Sequence, residues 1–308
     1  MSELNVDVHQ HVWTEPLLDE LAQRTQLPLI RREYDVTVLH SEGEQPYVID
    51  VEAEAASSRL SVLHEDGLDV AVVAISSPIG IESLPRDEAL VLIGAHLTGV
   101  GRLGGGFVAW GPIPLDRPHP DDVDDVLTRG CVGISLPAGA LAGPARLEAL
   151  RTTLERIAEL KVPLFIHPGR APGQFAETAE LDEPLWWRAL TDYIAQMQAA
   201  WFTFASCGRR QHPELQVLFS MLAGGAPLQA ERLASRGCTR IDLRDPLTFY
   251  ETSSYGPTTV EILARLVGED QLVYGSDRPV VEPTATGREV VLQRNGAELF
   301  PSLRTVFA

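Results

Sequence analysis

The sequence predicts a single α/β domain folded as a (β/α)8 barrel of the TIM type, on three observations. First, about eight short apolar runs recur along 308 residues, and each is followed by a loop and a segment of helical period. Second, several runs are nearly continuous in Val, Ile, Leu and Phe, the composition of strands covered on both faces. Third, no G-x-G-x-x-G opens a helix after a strand. Gly104-Gly105-Gly106 runs into a strand instead, which disfavours a doubly wound dinucleotide fold and a phosphate cradle.

In chain order, the predicted strands are Leu4–Val8, Val70–Ile75, Phe107–Trp110, Gly133–Leu136, Leu164–Ile166, Val217–Phe219, Phe249–Glu251 and Leu272–Tyr274. Helices are predicted around 52–66, 86–98, 185–203, 227–236 and 257–267. The clearest carries Leu147, Leu150, Leu154 and Ile157 on one stripe and stops before Pro163. The stripe through Trp187, Leu190, Ile194, Met197 and Trp201 suits packing in the core or across a homodimer. The stretch from Thr14 to about Tyr47 is long for a connection, polar, and weakly strand-like only over Tyr34–Leu39. It is read as a loop insertion at about 14–48 that forms part of the active-site mouth of one domain spanning 1–308.

Composition limits the partners. There are 43 acidic against 25 basic residues, a formal charge of −18, and such a surface repels nucleic-acid phosphates and anionic membranes. A small molecule is the expected partner. Three cysteines without a C-x-x-C indicate neither a thiolate zinc site nor a disulfide scaffold. The opening MSELNVDVHQH has neither a basic nor an apolar leader segment, so a cytoplasmic location is expected.

The chemistry sits at strand ends. In Asp7-Val8-His9-Gln10-His11, the two histidines share one strand face and can reach a single divalent cation. Leu164-Phe165-Ile166-His167 ends an apolar strand in an imidazole before Pro168-Gly169. Leu272-Val273-Tyr274-Gly275-Ser276-Asp277 ends another in a carboxylate. Each has an ordinary structural reading: polar histidines at a strand terminus, a strand cap, an Asx-turn. Together they place metal-ligand types on three strands at the barrel's C-terminal face, where the active sites of such barrels assemble.

Those motifs, with RRQHPELQVLF, GGAP, YETSSYG and QLVYGSDRP, resemble the amidohydrolase superfamily. The nearest likeness is to the amidohydrolase-related branch that includes aminocarboxymuconate-semialdehyde decarboxylase. The resemblance implies a distorted (β/α)8 barrel of the metal-dependent hydrolase type and one divalent metal, zinc by preference. It implies His9, His11, His167 and Asp277 as metal ligands, with Asp277 also handling a proton. His212, in the HPEL turn, is structural by the same likeness. The family's usual histidine six residues before the proline of GGAP is Met221 here, and a thioether neither donates a hydrogen bond nor carries a proton. Met221, together with Trp13, is expected to line the substrate pocket. Arg170 and Arg278 are candidate clamps for a substrate carboxylate, against the alternative of surface salt bridges. Metal-assisted hydrolysis of a C–N or C–O bond is placed slightly ahead of non-oxidative decarboxylation. A non-catalytic metal-binding barrel is the third reading.

Overall fold

The computed structural model describes residues 4–175, 183–238 and 241–303. Its strands are β1 (Val6–Gln10), β2 (Leu29–Glu33), β3 (Val36–His40), β4 (Tyr47–Ile49), β5 (Val70–Val73), β6 (Phe107–Pro112), β7 (Gly133–Pro137), β8 (Leu164–His167), β9 (Val217–Phe219), β10 (Thr248–Glu251) and β11 (Leu272–Val273). Eight of them form one parallel sheet in the order β1-β5-β6-β7-β8-β9-β10-β11. The two edges meet. The Val8 N–H donates to Tyr274 O at 3.0 Å, the Asp277 N–H to His9 O at 2.9 Å and the His11 N–H to Arg278 O at 2.7 Å. A (β/α)8 barrel results, and its closing seam carries the end of β11 alongside the end of β1.

The eight barrel strands are buried almost throughout, as their apolar runs require. One apolar cluster gathers Val6, Val8, Val70, Val72, Trp110, Phe165, Leu218, Phe249 and Val273. The Trp110 indole N–H donates to Val8 O at 2.8 Å, and its ring stacks on Phe165 at 5.0 Å. A second, larger cluster lies between strands and helices and includes Leu147, Leu154 and Ile157. The predicted helix through those residues divides at Leu150 into Pro144–Ala149 and Arg151–Leu160. The predicted 185–203 helix is a short turn, Trp187–Leu190, followed by Asp192–Thr203. Trp201 is core, whereas Trp186 and Trp187 are exposed. Among the described residues no helix is long and apolar enough to cross a membrane.

The insertion corrects the expectation of a loop. It begins with the helix Glu15–Gln23, which has Pro16 in its first turn and buries Leu17, Leu18 and Leu21. Strands β2, β3 and β4 follow as a separate antiparallel sheet. The polar and exposed Arg31, Arg32 and Glu33 make up the second half of β2, so the sequence shows only part of a strand's apolar signal there.

Candidate metal centre

The groups at the closing seam are fixed from β1 outward. Pairing of β1 with β5 shifts register between Asp7 and Gln10. The Asp7 carboxylate pins this irregularity by accepting from the His9 N–H at 3.0 Å, the Gln10 side-chain amide at 2.8 Å and the Ser276 N–H at 3.1 Å. Burial pushes Asp7 up to about 6, against the pull of these donors. Asp7 thereby ties β1 to the segment that carries Asp277.

The structure brings His9, His11, His167 and Asp277 together, with one ligand-type atom of each within 4.8 Å of all the others. His9 Nε2 lies 3.2 Å from His11 Nε2. Asp277 Oδ1 lies 3.5 Å from His9 Nε2 and 3.2 Å from His11 Nε2. The His167 ring centroid is 4.9 Å from that of His9 and 5.0 Å from that of His11. Two donors bound about 2.1 Å from one tetrahedral ion stand about 3.4 Å apart, so this spacing fits a single ion.

The outer nitrogens support the same reading. His11 Nδ1 is 2.9 Å from Ala74 O, His167 Nδ1 is 2.9 Å from Pro168 O, and His9 Nδ1 is 3.3 Å from Glu251 Oε2. A proton on each Nδ1 satisfies these acceptors and leaves three bare Nε2 lone pairs converging beside a carboxylate. Burial holds His9 down to about 3 and His167 well below the usual histidine range, which keeps both neutral and fit to ligate. Asp277 is the ligand with solvent access, its side chain 16% exposed against 1% for His9.

Glu251, at the end of β10, escaped the reading of the sequence. Its signal was the one used for His167 and Asp277, a polar residue closing an apolar strand. Burial pushes it up to about 7, countered by donors from Met221 and Ser253. Another support reaches His11: Arg59 donates to His11 O at 3.0 Å and to Gln10 Oε1 at 2.7 Å.

The other predicted site residues lie outside the cluster of four. Trp13 is buried, gives its backbone N–H to Glu54 at 2.7 Å, and packs near Tyr47 at 6.1 Å. It lines a lateral cavity of about 540 Å³ with Thr14, Thr37, Gly99 and Leu103, and none of the four clustered groups lines that cavity. Arg170 donates to Glu42 O and lies 3.8 Å from Glu44, so the insertion meets its charge. Arg278 pairs with Asp66 at 3.0 Å and Glu282 at 2.8 Å. Both guanidiniums therefore follow the salt-bridge alternative, and a substrate carboxylate would compete with groups already in place. Met221 stands just past β9, partly exposed, at φ 51. Leu222, Ala223, Gly224 and Gly225 continue in the left-handed region, a run that costs about 1–2 kcal/mol for each residue with a side chain. His212 is buried and apart from the cluster.

The family model described as Amidohydrolase matches residues 6–303. The chain belongs to this family of metal-dependent enzymes. Its fold is similar to that of a Metarhizium anisopliae IDCase solved in apo form, at 17% identity and TM-score 0.74, covering 96% of this chain and 90% of that one. It is similar to a 5-carboxyvanillate decarboxylase of Novosphingobium aromaticivorans with bound manganese and 3-methoxy-4-hydroxy-5-nitrobenzoic acid (15% identity, TM-score 0.66, 97% and 94% covered). It is also similar to a 4-oxalomesaconate hydratase of Rhodopseudomonas palustris (15% identity, TM-score 0.68, 98% and 97% covered). No curated protein matches it by sequence.

Proposed function

We propose that this enzyme is a metal-dependent, non-oxidative decarboxylase of a small carboxylated molecule. The supporting observation is the inventory of protic groups at the site. Hydrolysis calls for a base that takes a proton from water and an acid that protonates the leaving group. Position 221 offers a thioether where the resemblance expects an imidazole, and Asp277 is the solvent-accessible acid/base beside the three Nε2 atoms. Loss of CO2 from an acid that carries its own electron sink needs one proton at the carbon that loses CO2, and Asp277 can relay it. The Asp277 carboxylate takes the proton of the substrate's carboxyl group. The C–CO2 bond breaks with its electron pair passing into the substrate's conjugated system, and Asp277 returns that proton to complete the new C–H bond.

His9, His11, His167 and Asp277 would hold the ion, and zinc or manganese suits three imidazoles and a carboxylate. A bound divalent ion would supply Lewis-acid polarisation of substrate oxygens. Ala74, Pro168 and Glu251 keep the three rings oriented, and the carboxylate of Asp277 sits where it can move a proton. The fold of a decarboxylase among the compared structures supports this reading.

The test is a panel of hydroxylated aromatic and dienoic carboxylic acids, amides and lactones, incubated with metal-loaded protein and followed by CO2 release and product mass. CO2 release from an acid supports the proposal. Cleavage of an amide or lactone without CO2 supports hydrolysis, in which Asp277 takes the proton of the attacking water. A homodimer and a cytoplasmic location belong to the same proposal. The exposed row Leu185, Trp186, Trp187 and Leu190 supports self-association, which sedimentation velocity measures directly.

A further inference from the structure

Glu251 is fully buried, and its two oxygens receive four donors. Oε2 accepts from His9 Nδ1 at 3.3 Å, the Met221 N–H at 3.0 Å and the Ser253 hydroxyl at 2.9 Å; Oε1 accepts from the Ser253 N–H. Only an acceptor-only group can satisfy that set, which a carboxylate does and a carboxamide does not. The fold makes room for it. A Cβ on Gly275 would stand 2.4 Å from the Glu251 side chain, so a glycine two residues before Asp277 is what lets the carboxylate reach across from β10. One side chain thus touches the end of β1 through His9, the turn after β9 through Met221, and the end of β11 through Gly275.

The Met221 contact falls at the start of the left-handed run. Five consecutive residues, Met221 to Gly225, hold φ between 49 and 70, a conformation that residues with side chains keep only when their surroundings impose it. Further along the run, a Cβ on Gly224 would meet Ile194 O at 2.8 Å, so the helix Asp192–Thr203 presses on the turn from outside while Glu251 holds its first amide from within.

We propose that Glu251 is a positioning residue that joins the metal ligand His9 to the left-handed turn carrying Met221, so that metal binding and ordering of that turn are one event. An ion on His9 Nε2 fixes the imidazole ring and with it the Nδ1–H that Glu251 accepts. Glu251 then stays where the Met221 N–H needs it. The lip of the site that carries residue 221 is set by occupancy of the centre, before any substrate arrives. The inference rests on the metal-centre reading and is independent of which reaction follows.

Amide hydrogen exchange on the full-length protein tests it, with zinc or manganese alone as the probe and no substrate present. In the wild type, metal should slow exchange by about tenfold or more both at His9–His11 and at Met221–Gly225. In Glu251→Gln, metal should still protect the first segment but leave the second at its metal-free rate, and the dissociation constant for the metal should rise by about 10–100-fold. Glu251→Asp, an acceptor-only group on a shorter stem, should restore part of both effects. Equal protection of the turn in wild type and Glu251→Gln would overturn the proposal. So would a wild-type turn whose exchange is the same with and without metal, and that arm decides the matter even where Glu251→Gln does not fold. Protection of neither segment overturns the metal centre and the proposal together. Because no substrate is used, failure of the decarboxylase reading leaves these outcomes unchanged.

Discussion

In one part of the barrel mouth, the ends of β1, β8 and β11 bring three imidazoles and a carboxylate to within 4.8 Å of one another, and each imidazole is oriented from behind by its own acceptor. In another, the end of β9 beside β8 is a left-handed run of backbone that begins with a thioether. The first half has everything a divalent ion asks for; the second has lost the protic group that the family resemblance leads one to expect. The contrast teaches that the side chain at 221 is separable from the ion's ligands, although its backbone N–H is tied to them through Glu251. Each ligand imidazole is held by its own acceptor, Ala74 O, Pro168 O or Glu251, so altering a ligand alters the ion site directly. Residue 221 sits beyond a strand end and can change while the ion site stays intact.

The largest effect should follow from breaking the first half. His9→Ala with His11→Ala removes two of the four ligand-type groups, and turnover should fall to background while circular dichroism still reports a folded barrel. Metal content after reconstitution checks the cause. Asp277→Asn keeps the shape and some affinity for the ion but removes the proton, and kcat should drop by roughly 100-fold or more. Retained activity in the metal-loaded Asn variant would assign the proton to another group.

Changing the second half should cost less. Met221→His restores an imidazole, but Met221 stands between the buried Phe219 and Leu222, and a polar ring there loses solvation without a partner. We expect KM to rise and kcat/KM to fall by about tenfold, equivalent to about 1.4 kcal/mol. A clear gain in turnover would show that the barrel runs the usual family mechanism poorly rather than a different one well.

The smallest effect concerns a buried imidazole that the centre does not use. His96, on the helix Arg86–Leu103, is 1% exposed, neither ring nitrogen has a hydrogen-bond partner among the described residues, and burial lowers it to about 3. Its folded value lies below its unfolded value of 6.5, so the unfolded chain binds more protons as pH falls. The stability that the neutral ring preserves is complete above pH 6.5 and drains away toward pH 3, by up to about 1.4 kcal/mol per pH unit. His96→Phe should therefore gain about 2 kcal/mol over the wild type between pH 6.5 and pH 5 in urea melts of metal-free protein. An unchanged difference at the two pH values would mean that the ring is not held neutral.

Much of this was legible because the barrel advertises itself. Runs such as Val70–Val73 and Leu164–His167 are buried on both faces and therefore read as unbroken apolar segments, and His167 and Asp277 close such runs. The three-stranded sheet was hidden because Arg31, Arg32 and Glu33 of β2 face solvent. The helix Glu15–Gln23 was passed over although Pro16, Leu17, Leu18 and Leu21 spell out its first turn and buried stripe. The left-handed turn left little trace, since only Gly224 and Gly225 of its five residues are of the type that adopts it freely. Glu251 closes β10 as His167 closes β8, so its place was legible in the local pattern, but its partner His9 lies 242 residues away and the pairing is created by the barrel. The arginines following His167 and Asp277 pair with Glu44 and Asp66, which lie far off in sequence, so their ion pairs left no local trace.

The most direct test of the metal centre is X-ray absorption at the metal edge of protein loaded with zinc or manganese, combined with elemental analysis. The account predicts about one ion per chain, with three imidazoles and a carboxylate oxygen in its first shell, and loss of the imidazole scattering when His9 and His11 are replaced by Ala. Stoichiometric binding with no imidazole contribution, or no binding by a wild-type protein that still turns over substrate, would contradict it.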